Sequence, residues 1–176
     1  MLAKITSGAT VGLDGVPVTV EVDIATQSLP AFTVVGLPDK AVEESRERVR
    51  SALKNSGAFL PPHRITVNLA PADLPKEGPQ YDVPIAVGIL AASGQIPQLP
   101  KDHLFFGELS LDGTLCHTNG ILSMALLAKE KGFTTVYIPA IDVTEAAIVG
   151  GITVYPVVSL PQLVRHLMGA ELIEKA

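Results

Sequence analysis

The chain has 176 residues and a net charge of −5, which fits one domain around one core and argues against a whole-surface attraction to nucleic acid, though not against a local basic patch. Hydrophobic residues make up 47%, excluding wholesale disorder, and with aromatics at 5% and no Trp the core must be aliphatic. Charged residues make up only 18%, against roughly 25% in an average soluble chain, so part of the surface is expected to be covered by a partner or a neighbouring domain.

The first third reads as β-rich. Lys4 to Val11 is a predicted strand, Leu13-Asp14-Gly15 a turn of the Asp-Gly kind, and Val16 to Ile24 a second strand. In that second strand Val18, Val20, Val22 and Ile24 alternate with Thr19, Glu21 and Asp23. Phe32 to Val35 is a short third strand, ended by Gly36-Leu37-Pro38. Asp39 then caps a helix that runs to Gly57, its buried stripe made by Val42, Ser45, Val49, Ala52 and Ser56. Pro61-Pro62 precedes a strand from Arg64 to Leu69. Ala70 to Tyr81 has no regular pattern. Asp82 caps a second helix, Val83 to Ser93, apolar nearly all round and therefore central.

The second half alternates. Leu104 to Leu111 reads as a strand, Asp112-Gly113 as a hairpin turn and Thr114 to His117 as the return. A helix from Ile121 to Lys131 ends at Gly132. Val136 to Pro139 is a strand, Val143 to Val149 a short helix, Ile152 to Val157 a strand and Leu160 to Met168 a terminal helix. A meander followed by alternating helices and strands predicts an α+β fold, one domain over residues 1–176.

The motifs exclude several chemistries. There is no GxxxxGK[ST] phosphate loop and no GxGxxG, and neither GxSxG nor HExxH occurs. Cys116 is the only cysteine, so no internal disulfide and no cysteine zinc site can form, and a reducing cytoplasm is the expected home. His63, His103, His117 and His166 have no metal-ligand spacing. The polar start, Met1 to Gly8, is unlike a signal peptide. The apolar run Val83 to Ala92 is half of the roughly 20 residues that span a bilayer, so no membrane partner is expected.

Pro75-Lys76-Glu77-Gly78-Pro79-Gln80 leads into the buried helix. It reads either as a stiff connection or as a place that holds a reactive side chain at a helix start. The segment resembles the active-site stretch of Lon-type proteases. Gly107-Glu108-Leu109-Ser110-Leu111-Asp112-Gly113, with Asn119-Gly120-Ile121-Leu122, resembles the stretch around their catalytic lysine. By that resemblance the serine position is Gln80 and the lysine position Leu122. An amide and an isobutyl group can neither attack a carbonyl nor take a proton, so the dyad is degenerate.

A longer resemblance covers nearly the whole chain. Val35 to Arg50 and Ile65 to Gly78 are similar to the amino-terminal domain of the ComM/YifB family of magnesium-chelatase-like AAA+ ATPases. It implies a fold like the second domain of ribosomal protein S5, shared with Lon. It also implies a non-catalytic domain excised from a longer ATPase that acts in DNA recombination or natural transformation. ATP and magnesium would then belong to the missing module and no cofactor to this chain. The expected partners are that module, further copies in a hexameric ring, and DNA. Two other readings stay open: a hydrolase with an unorthodox site near Gln80, Tyr81 and Asp82, and a subunit of a magnesium chelatase.

Between Lys40 and Arg64 six cations face three carboxylates. This is either a solvated helix face laced with i,i+3 and i,i+4 pairs or a rim that meets phosphates. In the second case Arg46, Arg48, Arg50, Lys54 and, from the loop, Lys76 are the candidate contacts to DNA or a partner.

Overall fold

The computed structural model describes residues 1–176. The strands are β1 (Leu2–Val11), β2 (Asp14–Ala25), β3 (Ala31–Val35), β4 (Arg64–Ala70), β5 (His103–Phe105), β6 (Glu108–Leu109), β7 (Leu115–Cys116), β8 (Thr135–Pro139) and β9 (Thr153–Val157). The helices are α1 (Lys40–Glu43), α2 (Ser45–Asn55), α3 (Asp82–Ala92), α4 (Ile121–Lys131), α5 (Val143–Ala147) and α6 (Leu160–Leu167). Seven strands form one sheet in the order β3-β4-β2-β1-β5-β8-β9, and β6 and β7 form a separate ribbon.

The first third is not a meander. β1 and β2 make the hairpin, but β4 comes back between β2 and β3, antiparallel to the former and parallel to the latter. β1–β5, β5–β8 and β8–β9 are also parallel, so the fold is mixed α/β with a mostly parallel sheet rather than the α+β class expected. The hairpin turn lies at Gly12-Leu13, one step earlier than predicted. Val11 pairs with Asp14, and Gly15 is already a rung of β2. A side chain at Gly15 would meet Leu127 and the Ser123 carbonyl of α4, so the glycine serves helix packing and Gly12, with φ 65°, makes the turn.

The sheet separates two cores. Its alternating residues send Leu104, Phe106, Val136, Ile138 and Val154 towards α4 and α5. Phe105, Tyr137, Val20, Val22, Ile65 and Val67 point to the opposite side, with α2, α3 and α6. Helix α3 is buried at every position, as its all-apolar face requires.

The other differences from the sequence reading are local. The helix after Asp39 breaks at Glu44, because the Arg48 guanidinium donates to the Ala41 carbonyl (2.7 Å) and diverts it from the helical ladder. Tyr81, not Asp82, is the N-cap residue of α3. The strand predicted over Leu104–Leu111 splits into β5 and β6, since Gly107 leaves the sheet. Its N–H donates to the Gln80 carbonyl (2.9 Å), and its own carbonyl accepts from Val83 N–H (3.1 Å). The edge strand β9 carries Pro156, and the C-terminal tail donates from Ala176 N–H to the Val154 carbonyl (2.9 Å). No helix is long and apolar enough to cross a membrane.

Candidate functional site

The Pro75–Gln80 loop is held in place by its own side chains. Asp39 caps α1 through Oδ1, which accepts from Val42 N–H (2.8 Å), and its Oδ2 accepts from Gly78 N–H (3.2 Å). Lys76 N–H donates to the Leu37 carbonyl (3.0 Å), and Asp39 N–H to the Lys76 carbonyl (2.9 Å). The Lys76 side chain is fully buried, with Nζ donating to the carbonyls of Gly36 (2.8 Å) and Pro71. Burial pushes the ammonium below the ordinary lysine value, and Asp73 pulls it back. Lys76 therefore ties loop to turn and presents no charge to solvent, which removes it as a surface contact.

This loop, the start of β6, the end of β7 and the residues before α4 enclose a cleft of about 430 Å³. Gln80 lies in its wall, with Nε2 turned back onto the Glu77 carbonyl. Asn119 and Gly120 lie across from it. Leu122 follows on α4 with its side chain outside the lining and 42% exposed. Neither Gln80 nor Leu122 brings a hydroxyl or an amine to the cleft. Tyr81 and Asp82, grouped with Gln80 in the hydrolase reading, turn inward and are fully buried.

Asp82 receives the Arg48 guanidinium in a forked pair, Nε to Oδ2 at 2.6 Å and Nη2 to Oδ1 at 3.1 Å, and accepts Leu109 N–H at 3.1 Å. Burial raises the Asp82 carboxyl, while the hydrogen bonds from Arg48 and Ser45 lower it. The pair joins α2, α3 and β6 beneath the cleft. It also occupies Arg48, so this arginine is a structural residue and not a free contact.

The sequence reading missed His117 and Asp142. Asp142 is buried, hydrogen-bonds His117 Nδ1 and accepts Thr118 N–H (2.9 Å). The bond to Asp142 holds the His117 imidazolium above the ordinary histidine value. The residues lie 25 apart, so no local pattern announces them. The pair orients a ring on the cleft wall, but the neighbouring hydroxyl is committed. Thr118 Oγ1 donates to the Cys116 carbonyl (3.0 Å) and accepts from Glu108 N–H (3.0 Å). Burial raises the Cys116 thiol, which makes it a poorer nucleophile.

Three of the five cations remain on the surface. Arg46 donates to the carbonyls of Glu43 (3.1 Å) and Phe32 (3.3 Å). Arg50 meets Glu47 at 3.9 Å, and Lys54 makes no ion pair. Arg50 and Lys54 line a second groove, beside the start of β3. No three His, Cys, Asp or Glu side chains converge as metal ligands.

The mixed, mostly parallel sheet with helices on both faces defines an α/β domain class, and comparison with known proteins carries this further. Residues 20–142 match the family described as subunit ChlI of Mg-chelatase, and the chain belongs to that family in its ComM/YifB branch. It is 44% identical over 174 residues to competence protein ComM of Haemophilus influenzae, covering 97% of this chain and 33% of that protein. It is 48% identical over 132 residues to YifB of Escherichia coli, covering 74% of this chain and 26% of that protein. A Lon protease of Brevibacillus choshinensis is 23% identical over 149 residues, 78% of this chain and 19% of the protease. The chain spans about a third or less of the length of these relatives.

Proposed function

We propose that this chain is the non-catalytic amino-terminal domain of a ComM-type AAA+ ATPase, with a ribosomal-protein-S5-domain-2-like fold. It assists assembly of a hexameric ring and guides DNA into it during recombination or natural transformation. ATP hydrolysis and its magnesium belong to a separate ATPase module, and the domain works in the cytoplasm. The observation that carries this reading is the cleft whose wall holds Gln80, the serine position of the Lon resemblance, while Leu122, the lysine position, lies outside the lining. An amide and an isobutyl group supply neither electron pair nor proton acceptor for acyl transfer, so what remains is shape and surface. The 44% identity to a competence protein supports the DNA context.

The test compares ring formation and DNA-stimulated ATP hydrolysis in the full-length protein with and without residues 1–176. Loss of either on deletion is expected, and no change in both would defeat the proposal. Unfolded casein and a serine-reactive probe check the hydrolase alternative on the same preparation, and saturable tetrapyrrole binding checks the chelatase alternative.

A further inference from the structure

The groove beside β3 is chemically unlike the rest of the surface. It measures about 450 Å³ and is lined by Arg50 and Lys54 from α2, by Phe59 and His63, and by the prolines Pro30, Pro61 and Pro62. No carboxylate lines it, in a chain whose net charge is −5. The helix carboxylates Glu43, Glu44 and Glu47 all lie outside it. Lys54 has no acidic partner, and the pair of Arg50 with Glu47 is long and solvent-exposed. Arg64 is excluded by strand alternation, since its neighbour Ile65 points to the α2 side.

Phe59 is the other unusual element. Its residue is 56% exposed, yet its backbone is fixed on both sides by one side chain. Its N–H donates to Gln95 Oε1 (3.2 Å), and its carbonyl accepts from Gln95 Nε2 (3.0 Å). The ring stacks on no other aromatic side chain; the aromatic contacts lie among Phe105, Tyr137, Tyr155 and two histidines. An exposed ring on a pinned backbone, beside the unpaired Lys54 and an Arg50 held only by its long, exposed contact to Glu47, presents a flat apolar face next to positive charge. That combination matches a ligand of alternating planar rings and anions, and stacking requires the rings to be unpaired.

We infer that this groove binds single-stranded nucleic acid, with phosphates on Arg50 and Lys54 and a base stacked on Phe59. The inference rests on the DNA-guiding role proposed above and specifies where and in what form the strand is held. Arg46, which reaches Phe32 at the groove wall, extends the cationic track. A duplex buries its base faces and gains only the phosphate contacts, so the groove discriminates between the two forms.

The experiment uses the 176-residue chain and fluorescence anisotropy with a labelled 12-mer of deoxythymidine, a duplex of equal length and a 12-residue polyglutamate, over a salt series. The single strand is expected to bind in preference to the other two, with log affinity falling against log salt at a slope of roughly −1.4 for two phosphate contacts. Phe59→Ala is expected to weaken the single strand roughly tenfold and the duplex hardly at all. Arg50→Glu with Lys54→Glu is expected to abolish binding and the salt slope, whereas Lys129→Glu with Lys131→Glu on α4, the same charge change elsewhere, is expected to leave most of it. All five side chains are exposed, and circular dichroism verifies the fold. The inference is overturned by absence of single-strand binding at low salt, by tighter binding of polyglutamate, by equal loss from the α4 pair, or by indifference to Phe59→Ala. If the groove variants bind normally while deletion of the domain still impairs the full-length protein, only the groove assignment falls. If deletion has no effect, the parent reading falls with it.

Discussion

Asp82 and Arg48 are the residues that tie α2, α3 and β6 together. A fully buried carboxylate carries a desolvation cost of several kcal/mol, offset here by the guanidinium fork and the Leu109 N–H. Removing Arg48 leaves the buried Asp82 carboxylate without its cation, and removing Asp82 leaves a mostly buried guanidinium with only the Ala41 carbonyl and the Ser45 hydroxyl. Asp82→Ala or Arg48→Ala is therefore expected to cost about 3 kcal/mol or more in urea unfolding, and Arg48→Met with Asp82→Leu clearly less than the sum of the two. Additive single effects would show that the pair does not act as a unit. Lys76 illustrates a different point at the same scale. Its place in Pro-Lys-Glu-Gly-Pro marks a distinctive segment, but a lysine among charged and proline-rich neighbours gives no sign of being buried. Only the facing carbonyls of Gly36 and Pro71, from two separate turns, make that burial tolerable.

At the scale of elements, α6 and the tail that follows it depend on a neutral imidazole. His166 Nδ1 accepts Ile173 N–H (2.9 Å), and its ring packs on Tyr155 and Tyr137. The other titratable group that acts on it is His103, while the neighbouring charges, Arg165 on its own helix and Glu171 in the tail, form an exposed pair with each other. Burial lowers the pKa of His166, helped by the charge of His103, and burial lowers His103 as well, against Asp102. Both folded values lie below the unfolded value of about 6.5, so the folded state binds fewer protons. Their contribution is complete above that value and is lost as pH falls through the folded values. His117 has the opposite sign: its raised value gives a contribution present below about 6.5 and lost as pH rises through the folded value. His166→Asn, whose amide oxygen accepts Ile173 N–H at any pH, is expected to flatten the acid side of the stability profile, read as thermal midpoint against pH. His117→Asn is expected to flatten only the neutral-to-alkaline side. The break between α1 and α2 belongs to this scale too. Asp39 to Gly57 has the caps and periodicity of one helix, and the side chain that interrupts it, Arg48, is drawn inward by Asp82, a residue 34 positions away.

At the scale of the whole molecule, the two cores lean on one sheet, and α3 packs closely on β2. A Cβ at Gly88 would stand 2.6 Å from a Val22 methyl, so the helix backbone rests directly on the side chains of the strand. Gly88→Leu is expected to destabilise by about 1–3 kcal/mol, read from urea unfolding, despite the better helix propensity of leucine, because the helix must rise off the sheet. An unchanged midpoint would mean that the interface has slack. Much of this architecture was legible in advance. Alternation in β2 and β4 and the all-apolar α3 are local patterns, and each element forms within a few residues of its expected place. Of the site, the residue types of the Pro75–Gln80 loop were legible because they are a matter of identity, whereas the pairing of His117 with Asp142 was not, because it joins residues 25 apart.

Strand order was not legible, because β4 pairs between β2 and β3 through contacts some 40 residues apart, and a local pattern carries no record of its distant neighbour. For the same reason the sequence named the five cations but could not sort them. Arg48 and Lys76 are withdrawn by an acid and by carbonyls from remote segments, while Arg50 and Lys54 meet Phe59 and His63 only once the helix lies beside the sheet edge. Chain identity determined the element types and the family. Tertiary packing alone decided which charges face water, because burial is a property of what surrounds a side chain and not of the side chain itself.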